Sequence, residues 1–269
     1  MSAAHSDLGP DRDRLLDTAL AAIDAAGAIV RPFFRTPLDA EIKGDRSPVT
    51  LADRNAELAI RALLAERTPE CGILGEEFGL ERPEARLRWV LDPIDGTRAF
   101  ITGRPTFGIL IGLLADGLPV LGVIDQPITG ERWIGIAGEP TRFTGPFGGT
   151  AGTRRCPELA LAELSCTTPA MLDDSTCPRF QALEQGVQRV SWGGDCYAYG
   201  LLALGQIDII AERDMKIWDW AALVPVIEGA GGRVTDWNGQ PLRADGDGSV
   251  LALGDARLAD QVTRLLAAR

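Results

Sequence analysis

Two acids beside a tight turn are the residues of this 269-residue chain best suited to chemistry. Residues 89–100 read WVLDPIDGTRAF, so Asp92 and Asp95 flank a Pro-Ile pair and are followed by Gly96 and Thr97. Carboxylates bind hard cations, and a helix that begins at Thr97 would direct its free N–H groups at the turn, where they bind phosphate. The pattern is typical of a metal-phosphate site, although an isolated turn of this composition can also be an ordinary surface β-turn.

The strand that positions this turn is short and apolar. Residues 88–91 form it, and because Pro93 has no N–H for a strand ladder, we predict that the strand ends near Asp92. Glycine at position 96 would then allow the sharp change of direction into the helix.

Further acids stand at the ends of predicted strands or at the starts of predicted helices: Glu76, Glu77, Asp195 and Asp219. Each can be structural, as a helix cap or a solvated charge. Asp219 is a stronger functional candidate, because the sequence Trp-Asp-Trp opens an Ala-rich apolar helix in which a carboxylate needs a partner. Asp53 follows Thr50 in the form of a capping box, so Asp53 can be a helix cap alone.

The chemistry that these residues support is phosphate-ester hydrolysis. Glu76, Asp92 and Asp95 together with Asp219 would supply oxygens for two Mg²⁺ ions, and two ions about 3.5–4 Å apart can activate a water and stabilise the leaving oxygen. His5 is the single histidine and lies in a polar N-terminal segment, which excludes a histidine base, a histidine metal centre and a Ser-His-Asp triad. Hydroxide would therefore come from water activated by metal, with help from a hydroxyl-carboxylate pair. Thr97 and Asp53 are the candidates for that pair.

Bulk composition excludes several other classes. The formal charge of −11 leaves no basic cluster for nucleic acid. The longest apolar run, residues 107–114, has the length of a strand, so we predict no membrane span, and residues 1–14 lack the apolar stretch of a signal peptide. Five scattered cysteines without metal-binding spacing predict reduced thiols in a cytoplasmic protein.

The order of predicted elements indicates an α/β chain with two subdomains. In the first half, a helical pattern over residues 11–34, with a stop expected near Arg31-Pro32, and a helix over 50–66 precede a strand at 73–77, a hairpin of 107–114 and 120–125, and a strand at 132–137. Residues 138–152 are rich in Gly, Pro and Thr, and we place a boundary there. Strands and helices alternate in the second half, which predicts a sheet covered by helices. The predicted strands are 163–167, 189–192, 208–211, 233–236 and 250–253, and the predicted helices are 179–185, 195–204, 218–229 and 255–268. The subdomains are residues 1–145, with most metal ligands, and 146–269, with Asp219 and the substrate-selecting residues.

Five motifs, in this order along the chain, resemble those of the Mg²⁺-dependent, lithium-sensitive inositol monophosphatase family. They are VTLAD at residues 49–53, GEE at 75–77, DPIDGT at 92–97, WDWAA at 218–222 and EGAGG at 228–232. The resemblance extends from about Lys43 to Gly232, and the core motifs show no departure that would indicate an inactive enzyme.

The resemblance implies a layered α/β/α/β/α sandwich of the inositol monophosphatase and fructose-1,6-bisphosphatase type, a homodimer, and two or three Mg²⁺ ions per site. It also implies residue roles. Thr97 and Asp53 would orient and activate the attacking water, and Glu77 would lie behind the metal ligands or near a third ion. Lys43 would lie in a flexible loop that approaches the site, and the N–H groups of Gly96 and Thr97 would bind phosphate. The implied metal ligands, of which Glu76 is also counted as catalytic, are Glu76, Asp92, Asp95, Asp219 and the carbonyl of Ile94.

Two segments resemble the histidinol-phosphatase branch of that family. Residues 98–108 read RAFITGRPTFG, where inositol monophosphatases more often continue with Thr-Asn-Phe, and residues 192–199 read WGGDCYAY. Histidinol phosphate carries a cationic amine and an imidazole, so its pocket needs acids beyond those that hold metal. Asp195 and Glu212 are available, although Asp195 can also be a helix N-cap and Glu212 an exposed charge at a strand end. Arg98 is a further candidate for substrate binding, and Arg189 could orient these acids or meet a partner subunit.

Three functions follow as hypotheses. The first is the Mg²⁺-dependent hydrolysis of L-histidinol phosphate to L-histidinol and phosphate in histidine biosynthesis. The second is another phosphomonoesterase of the same family, acting on inositol monophosphate or a nucleotide 3′-phosphate. The third is a non-catalytic binding protein on this fold, which the intact candidate site disfavours.

Overall fold

The computed structural model describes residues 8–37, 41–42 and 48–267. Its helices are α1 Arg12–Val30, α2 Leu51–Arg67, α3 Thr97–Ile101, α4 Cys177–Gly186, α5 Asp195–Ala203, α6 Ile217–Trp220, α7 Leu223–Gly229 and α8 Ala259–Leu266. Its strands are β1 Glu41–Ile42, β2 Pro48–Val49, β3 Gly72–Gly75, β4 Gly79–Glu81, β5 Leu87–Asp95, β6 Gly108–Ala115, β7 Leu118–Gln126, β8 Glu131–Ile136, β9 Arg142–Thr144, β10 Glu163–Cys166, β11 Arg189–Trp192, β12 Ile209–Glu212, β13 Arg233–Thr235 and β14 Val250–Leu253.

Helices α1 and α2 begin the fold and pack together. The chain leaves α1 through a 3₁₀ turn, Arg31–Phe33, because Pro32 disfavours α-helical backbone in the residue before it. At the start of α2 the predicted capping box is confirmed. The Thr50 hydroxyl accepts the N–H of Ala52 at 3.1 Å, and the Asp53 carboxylate accepts the N–H of Thr50 at 2.8 Å.

The first sheet has seven strands in the order β4-β3-β5-β6-β7-β8-β9. The predicted hairpin is confirmed as β6 and β7, which pair antiparallel across Asp116 and Gly117. Every residue of β6 is buried, so both faces of the sheet centre are covered. The edge strands β4 and β9 were not predicted, because three largely exposed residues give too short a pattern.

The strand β5 corrects one prediction, since it continues through Pro93 to Asp95 instead of ending near Asp92. Its pairing with β6 is regular up to Asp92 opposite Leu110, and it resumes only at Asp95 opposite Gly108. The missing N–H of Pro93 therefore falls inside a bulge, where the ladder needs no donor. In a regular strand, residues three apart point to opposite faces, and the bulge interrupts that alternation between Asp92 and Asp95.

The second sheet has five strands in the order β11-β10-β12-β14-β13. The strands β10, β11 and β12 run parallel, and β14 is antiparallel to both of its neighbours. The predicted alternation of strands and helices in this half is confirmed in type and order. The final helix is shorter than predicted, because residues 256–258 form a 3₁₀ turn before α8.

The helix predicted over residues 218–229 is in fact two helices, α6 and α7. Pro225 explains the break, because a proline inside a continuous helix would lose its N–H bond and meet the carbonyl of Ala221. In the observed arrangement Pro225 lies in the first turn of α7, where no intrahelical donor is needed. Asp219 consequently lies in the short helix α6, before the break.

Three clusters of buried side chains define five layers. The first lies between α1, α2 and one face of the first sheet, and includes Ile23, Ile60 and Ile111. The second lies between the other face of that sheet, helices α5–α7 and the second sheet. The third joins the second sheet to α4 and α8. The predicted α/β/α/β/α sandwich is thereby confirmed.

The middle layer packs unusually close to the first sheet. A Cβ atom at Gly122 would lie 2.0 Å from the carbonyl oxygen of Ala222, and one at Gly135 would lie 2.3 Å from the backbone of Pro225 and Val226. Only glycine on β7 and β8 allows this approach.

The division at residue 145 separates the two sheets, since β9 ends at Thr144 and β10 begins at Glu163. The middle cluster nevertheless draws side chains from both sides of that point, including Trp133 and Tyr199. The subdomain boundary therefore stays a prediction.

Candidate active site

Three carboxylates converge where the end of β5 meets α6. Asp92, Asp95 and Asp219 each offer an oxygen, and these three atoms lie within 4.8 Å of one another. The first two lie on either side of the bulge in β5, and the third lies in α6, before the break between α6 and α7. Residues far apart in the sequence therefore form one compact group.

Backbone N–H groups hold each of these carboxylates in place. Asp92 Oδ1 accepts from Ile94 at 3.0 Å, Asp95 Oδ2 accepts from Cys196 at 2.7 Å, and Asp219 Oδ2 accepts from Lys216 at 2.6 Å. The bond to Lys216 caps α6, so Asp219 has a structural role as well as its place in the cluster. The positions of all three side chains are thus fixed by the fold itself.

Burial and nearby negative charges raise the pKa values of the three aspartates. Burial first, and then the charges of Glu76, Asp95 and Asp219, raise the pKa of Asp92 well above its ordinary value. Burial first, and then the charges of Asp219 and Asp195, raise the pKa of Asp95 in the same way. Burial raises the pKa of Asp219 to about 7, with Glu76 and Glu212 adding to the effect. Each carboxylate makes ionisation of the others less favourable, and a divalent cation bound between them would offset that repulsion.

Glu76 lies beside this cluster without being one of its three closest members. Glu76 directly follows β3, and its backbone N–H donates to the carbonyl of Leu91 at 3.2 Å. The charge of Glu76 acts on both Asp92 and Asp219, which places its carboxylate at the edge of the group.

Thr97 and Asp53 meet as the sequence predicted. The Thr97 hydroxyl lies 3.4 Å from Asp53 Oδ1 and 3.1 Å from the carbonyl oxygen of Ile94. Asp53 uses its other oxygen, Oδ2, to accept from Thr50 at the helix cap. Capping and contact with Thr97 are therefore compatible. Burial raises the pKa of Asp53.

Asp195 lies over the turn between β5 and α3. Gly96 has a left-handed φ of +83°, and a Cβ there would come within 2.8 Å of the Asp195 side chain. Asp195 is not the N-cap of α5, because that position belongs to Gly194. Its carboxylate instead accepts from the Thr106 hydroxyl at 3.3 Å, so the capping alternative is wrong.

Glu212 is buried at the end of β12, with 3% of its surface exposed, so the alternative of an exposed charge is also wrong. Its two oxygens accept from the Thr167 N–H at 2.7 Å and the Tyr199 hydroxyl at 2.9 Å. A cavity of about 130 Å³ is lined by Asp95, Asp195, Glu212 and Asp219 together. The acids predicted to select the substrate thus share one cavity with two members of the carboxylate cluster.

A model of the inositol monophosphatase family matches residues 11–268, nearly the whole chain. The chain belongs to the inositol monophosphatase family. This family comprises metal-dependent phosphatases, which agrees with the carboxylate cluster.

Three relatives illustrate the range within the inositol monophosphatase family. The chloroplastic bifunctional phosphatase IMPL2 of Arabidopsis thaliana is 43% identical over 97% of this chain and 77% of its own length. A histidinol-phosphatase of Chlorobaculum parvum is 36% identical over 88% of this chain and 91% of its own length. The solved structure of an inositol monophosphatase from Zymomonas mobilis is 46% identical and superimposes with a TM-score of 0.87, covering 97% of this chain and 100% of that one. Relatives of both named activities are therefore similar to this chain.

The remaining predicted residues lie around this family's site or away from it. Arg98 is exposed on α3, and its charge acts on Asp195. The N–H of Glu77 donates to Glu57 at 2.8 Å, while its charge acts on Asp53. Lys43 lies outside the described residues.

Arg189 does not reach the two acids that it was predicted to orient. It begins β11, opposite Glu163, and its Nε donates to Glu163 at 3.1 Å. Asp195 follows the other end of that strand. The parallel register therefore separates Arg189 from the cavity, and the proposed orienting role is wrong. Its contact with a partner subunit stays a prediction.

Sequence reasoning missed several groups that complete the site. They act through local backbone or hydroxyl donors, which carry no motif: the Cys196 N–H, the Thr167 N–H and the hydroxyls of Tyr199 and Thr106. Glu57 was also missed, although its place four residues after Asp53 on α2 put it on the same helix face.

Proposed function

We propose that this phosphatase is a Mg²⁺-dependent phosphomonoesterase that hydrolyses L-histidinol phosphate to L-histidinol and phosphate. The observation that carries the proposal is the shared cavity, in which Asp195 and Glu212 add two carboxylates beside Asp95 and Asp219. A phosphate ester alone needs the metal-binding acids. A substrate whose other end is cationic also needs acids of its own.

The residues that would hold Mg²⁺ are Asp92, Asp95 and Asp219, with Glu76 and the carbonyl of Ile94 completing the set. Carboxylate oxygens and a backbone carbonyl oxygen are the ligands that a hard cation such as Mg²⁺ prefers. The mutually raised pKa values of the aspartates indicate a site whose negative charge calls for a cation. When bound, Mg²⁺ would polarise the phosphoryl oxygens and lower the pKa of a water. Two or three ions per site are proposed from the family resemblance.

Thr97 and Asp53 would orient the attacking water and take its proton. The Thr97 hydroxyl is held between Asp53 and the Ile94 carbonyl, so its oxygen has a fixed position from which to accept a hydrogen bond from water. Asp53 is buried and its pKa is raised, so its Oδ1 is suited to receive a proton passed through Thr97 Oγ1. The N–H groups of Gly96 and Thr97 would bind the phosphate oxygens, and Glu77 would act from behind this pair.

The amine and imidazole of histidinol phosphate would meet Asp195 and Glu212. Each Glu212 oxygen already accepts one hydrogen bond and has a further lone pair for an ammonium donor. Asp195 is held by Thr106, and burial raises its pKa, while the Thr106 hydroxyl and the charges of Arg104 and Arg98 act in the opposite direction. The ionised carboxylate is the form that pairs with an ammonium group.

Hydrolysis of inositol monophosphate is the second candidate, favoured by the 46% identity to the Zymomonas mobilis enzyme. Hydroxyl groups of a polyol also donate to carboxylates, so Asp195 and Glu212 are compatible with that substrate. The difference lies in charge, because a neutral polyol gains only neutral hydrogen bonds from the same acids.

The deciding experiment is phosphate release by the purified enzyme with Mg²⁺. L-histidinol phosphate, inositol 1-phosphate and adenosine 3′,5′-bisphosphate would be compared at equal concentrations. We expect the highest kcat/KM for L-histidinol phosphate. Equal or faster turnover of either competitor would refute the histidinol assignment, and absence of Mg²⁺-dependent hydrolysis of any of them would refute the phosphatase function.

We also propose a cytoplasmic homodimer, as the sequence and the resemblance predicted. All five cysteines are unpaired thiols, which suits a reducing compartment. None of the described helices has the length and apolar character needed to cross a bilayer. Sedimentation equilibrium of the purified chain would test the dimer.

A further inference from the structure

Glu57 is a carboxylate on α2 with no exposed surface, set behind the carboxylate cluster. It accepts hydrogen bonds from the backbone N–H groups of Glu77 at 2.8 Å and Phe78 at 3.2 Å. Arg61, one helical turn later, donates its Nε to the same side chain at 2.8 Å. The Glu57 carboxylate is therefore paired with an arginine and two backbone N–H groups inside the protein.

Arg61 extends this contact from the turn after β3 into the next strand, β4. One of its terminal nitrogens donates to Glu81 Oε1 at 2.7 Å, and the other donates to the carbonyl of Gly79. Only 8% of the Arg61 side chain is exposed. Together, Glu57 and Arg61 bind backbone or side-chain atoms of four of the five residues from 77 to 81.

The residue held at the start of this turn is Glu76. A Cβ at Gly75 would lie 1.9 Å from Glu57 Oε1, so the chain passes directly against the buried carboxylate. On its other side, the N–H of Glu76 donates to Leu91 of β5 at 3.2 Å. The backbone of Glu76 is thus confined between α2 and the strand that carries Asp92 and Asp95.

The same helix holds a second component of the site. Asp53 precedes Glu57 by one turn of α2 and contacts Thr97. One rigid element therefore fixes both the hydroxyl proposed to orient water and the turn that carries Glu76.

We propose that Glu57 is a positioning residue, which through two backbone N–H groups and Arg61 sets the place of Glu76 and so the Mg²⁺ affinity of the site. The inference rests on the proposed function, because it requires Glu76 to bind the metal. Apolar side chains could supply stability alone at this position, often at lower cost than a buried ion pair. Directional bonds to particular N–H groups supply a defined geometry as well.

The test is Glu57→Gln, which conserves volume but removes the charge and directs N–H groups towards existing donors. We expect the Mg²⁺ concentration for half-maximal phosphate release to rise at least about 10-fold, with a smaller fall in kcat at saturating Mg²⁺. Mg²⁺ binding measured by calorimetry, without substrate, should weaken by the same factor.

Asp208→Asn is the matched control. Asp208 is also fully buried, pairs with Arg154, and accepts the N–H of Glu163 at 2.7 Å, but it lies just before β12, at the opposite end of that strand from Glu212. Both variants should lose thermal stability, and only Glu57→Gln should lose Mg²⁺ affinity. Equal Mg²⁺ affinity in the two variants would overturn the positioning role and leave the phosphatase function standing.

Glu81→Gln decides the matter if Glu57→Gln does not fold. Glu81 is about half exposed, so replacing it with glutamine removes the negative charge from one contact of Arg61 at small cost in stability. Its Mg²⁺ affinity should fall in the same direction by a smaller factor, and unchanged affinity would refute the proposal. A wild-type enzyme that neither binds nor needs Mg²⁺ would instead refute the proposed function.

Discussion

Two kinds of carboxylate in the described part of the chain differ in their partners. Glu57 and Asp208 each contact an arginine and at least one backbone N–H, so their charges are balanced within the chain. Asp92, Asp95 and Asp219 contact backbone N–H groups but otherwise face one another. The first kind completes the fold. For the second kind, we propose that a bound Mg²⁺ balances the negative charge.

The largest expected effect is on activity, from Asp92→Asn. The amide conserves volume and can still accept from the Ile94 N–H, but it removes one charged metal ligand. We expect phosphate release to fall by more than about 100-fold, beyond the usual effect of a residue behind the ligands. The melting temperature of the metal-free protein should not fall, because one repelling charge is lost. Activity within 10-fold of wild type would contradict the ligand role.

The second effect is of Mg²⁺ on stability. A cation that binds only the folded cluster should raise the free energy of unfolding by about 2.7 kcal/mol at 100 times its dissociation constant, which is about 5 °C in melting temperature. Calorimetric scans with Mg²⁺ and with chelator would measure it. Asp92→Asn should abolish most of the shift, and Asp208→Asn should leave it intact. A shift of equal size in both variants would place the ion elsewhere.

The same shift should depend on pH. The folded-state pKa values of the three aspartates lie above those of the unfolded chain, so the metal-free fold gains stability from their protonation at low pH. That contribution is lost as pH rises from about 4, the ordinary carboxylate range, to the Asp219 value of about 7. Mg²⁺ competes with these protons, so its stabilisation should be larger at about pH 8 than at about pH 5.5. Equal stabilisation at both would refute the competition.

A third effect should appear in the arginine-paired kind of carboxylate. Asp208→Asn leaves the N–H of Glu163 and the guanidinium of Arg154 poorly paired, so the free energy of unfolding should fall by about 2 kcal/mol. Urea denaturation would measure the loss. At saturating Mg²⁺ the kcat should stay near the wild-type value. A loss of kcat matching that of Asp92→Asn would remove the distinction between the two kinds.

The smallest effect concerns Asp195, which belongs to neither kind because its partners include a hydroxyl and nearby exposed arginines. Asp195→Ala should raise KM for L-histidinol phosphate about 10-fold through loss of a charge-assisted bond. KM for a simple aryl phosphate should change much less. Equal changes for both substrates would return Asp195 to a purely structural role.

The proposed metal ligands could be picked out in the sequence because each belongs to a short stretch whose residue types are uncommon together. Asp92 and Asp95 share one turn, and Asp219 lies between two tryptophans before an Ala-rich segment. The order of strands and helices predicted the second sheet with its covering helices, whereas the five-layer sandwich was predicted from the family resemblance. The end of β5 was mispredicted because the rule for Pro93 assumes a regular ladder, which the bulge interrupts.

Long-range register was not predictable. Arg189 is close to Asp195 in sequence, yet the parallel pairing with β10 places it beside Glu163, away from the cavity. The sequence around Glu57 is that of an ordinary helix, and its role depends on contacts with the turn after β3, which is distant in sequence. Such contacts depend on which elements become neighbours, and local residue patterns do not contain that information.

The position of Asp219 depends on the close packing that the glycines of β7 and β8 allow. Gly122 touches the backbone of Ala222, which lies three residues after Asp219 in the link between α6 and α7. A methyl group at residue 122 would push that link away from the first sheet, and Asp219 would move with it while Asp92 and Asp95 stayed on β5. The spacing of the acids therefore depends on the absence of a side chain at residue 122, on a strand that carries none of the three aspartates.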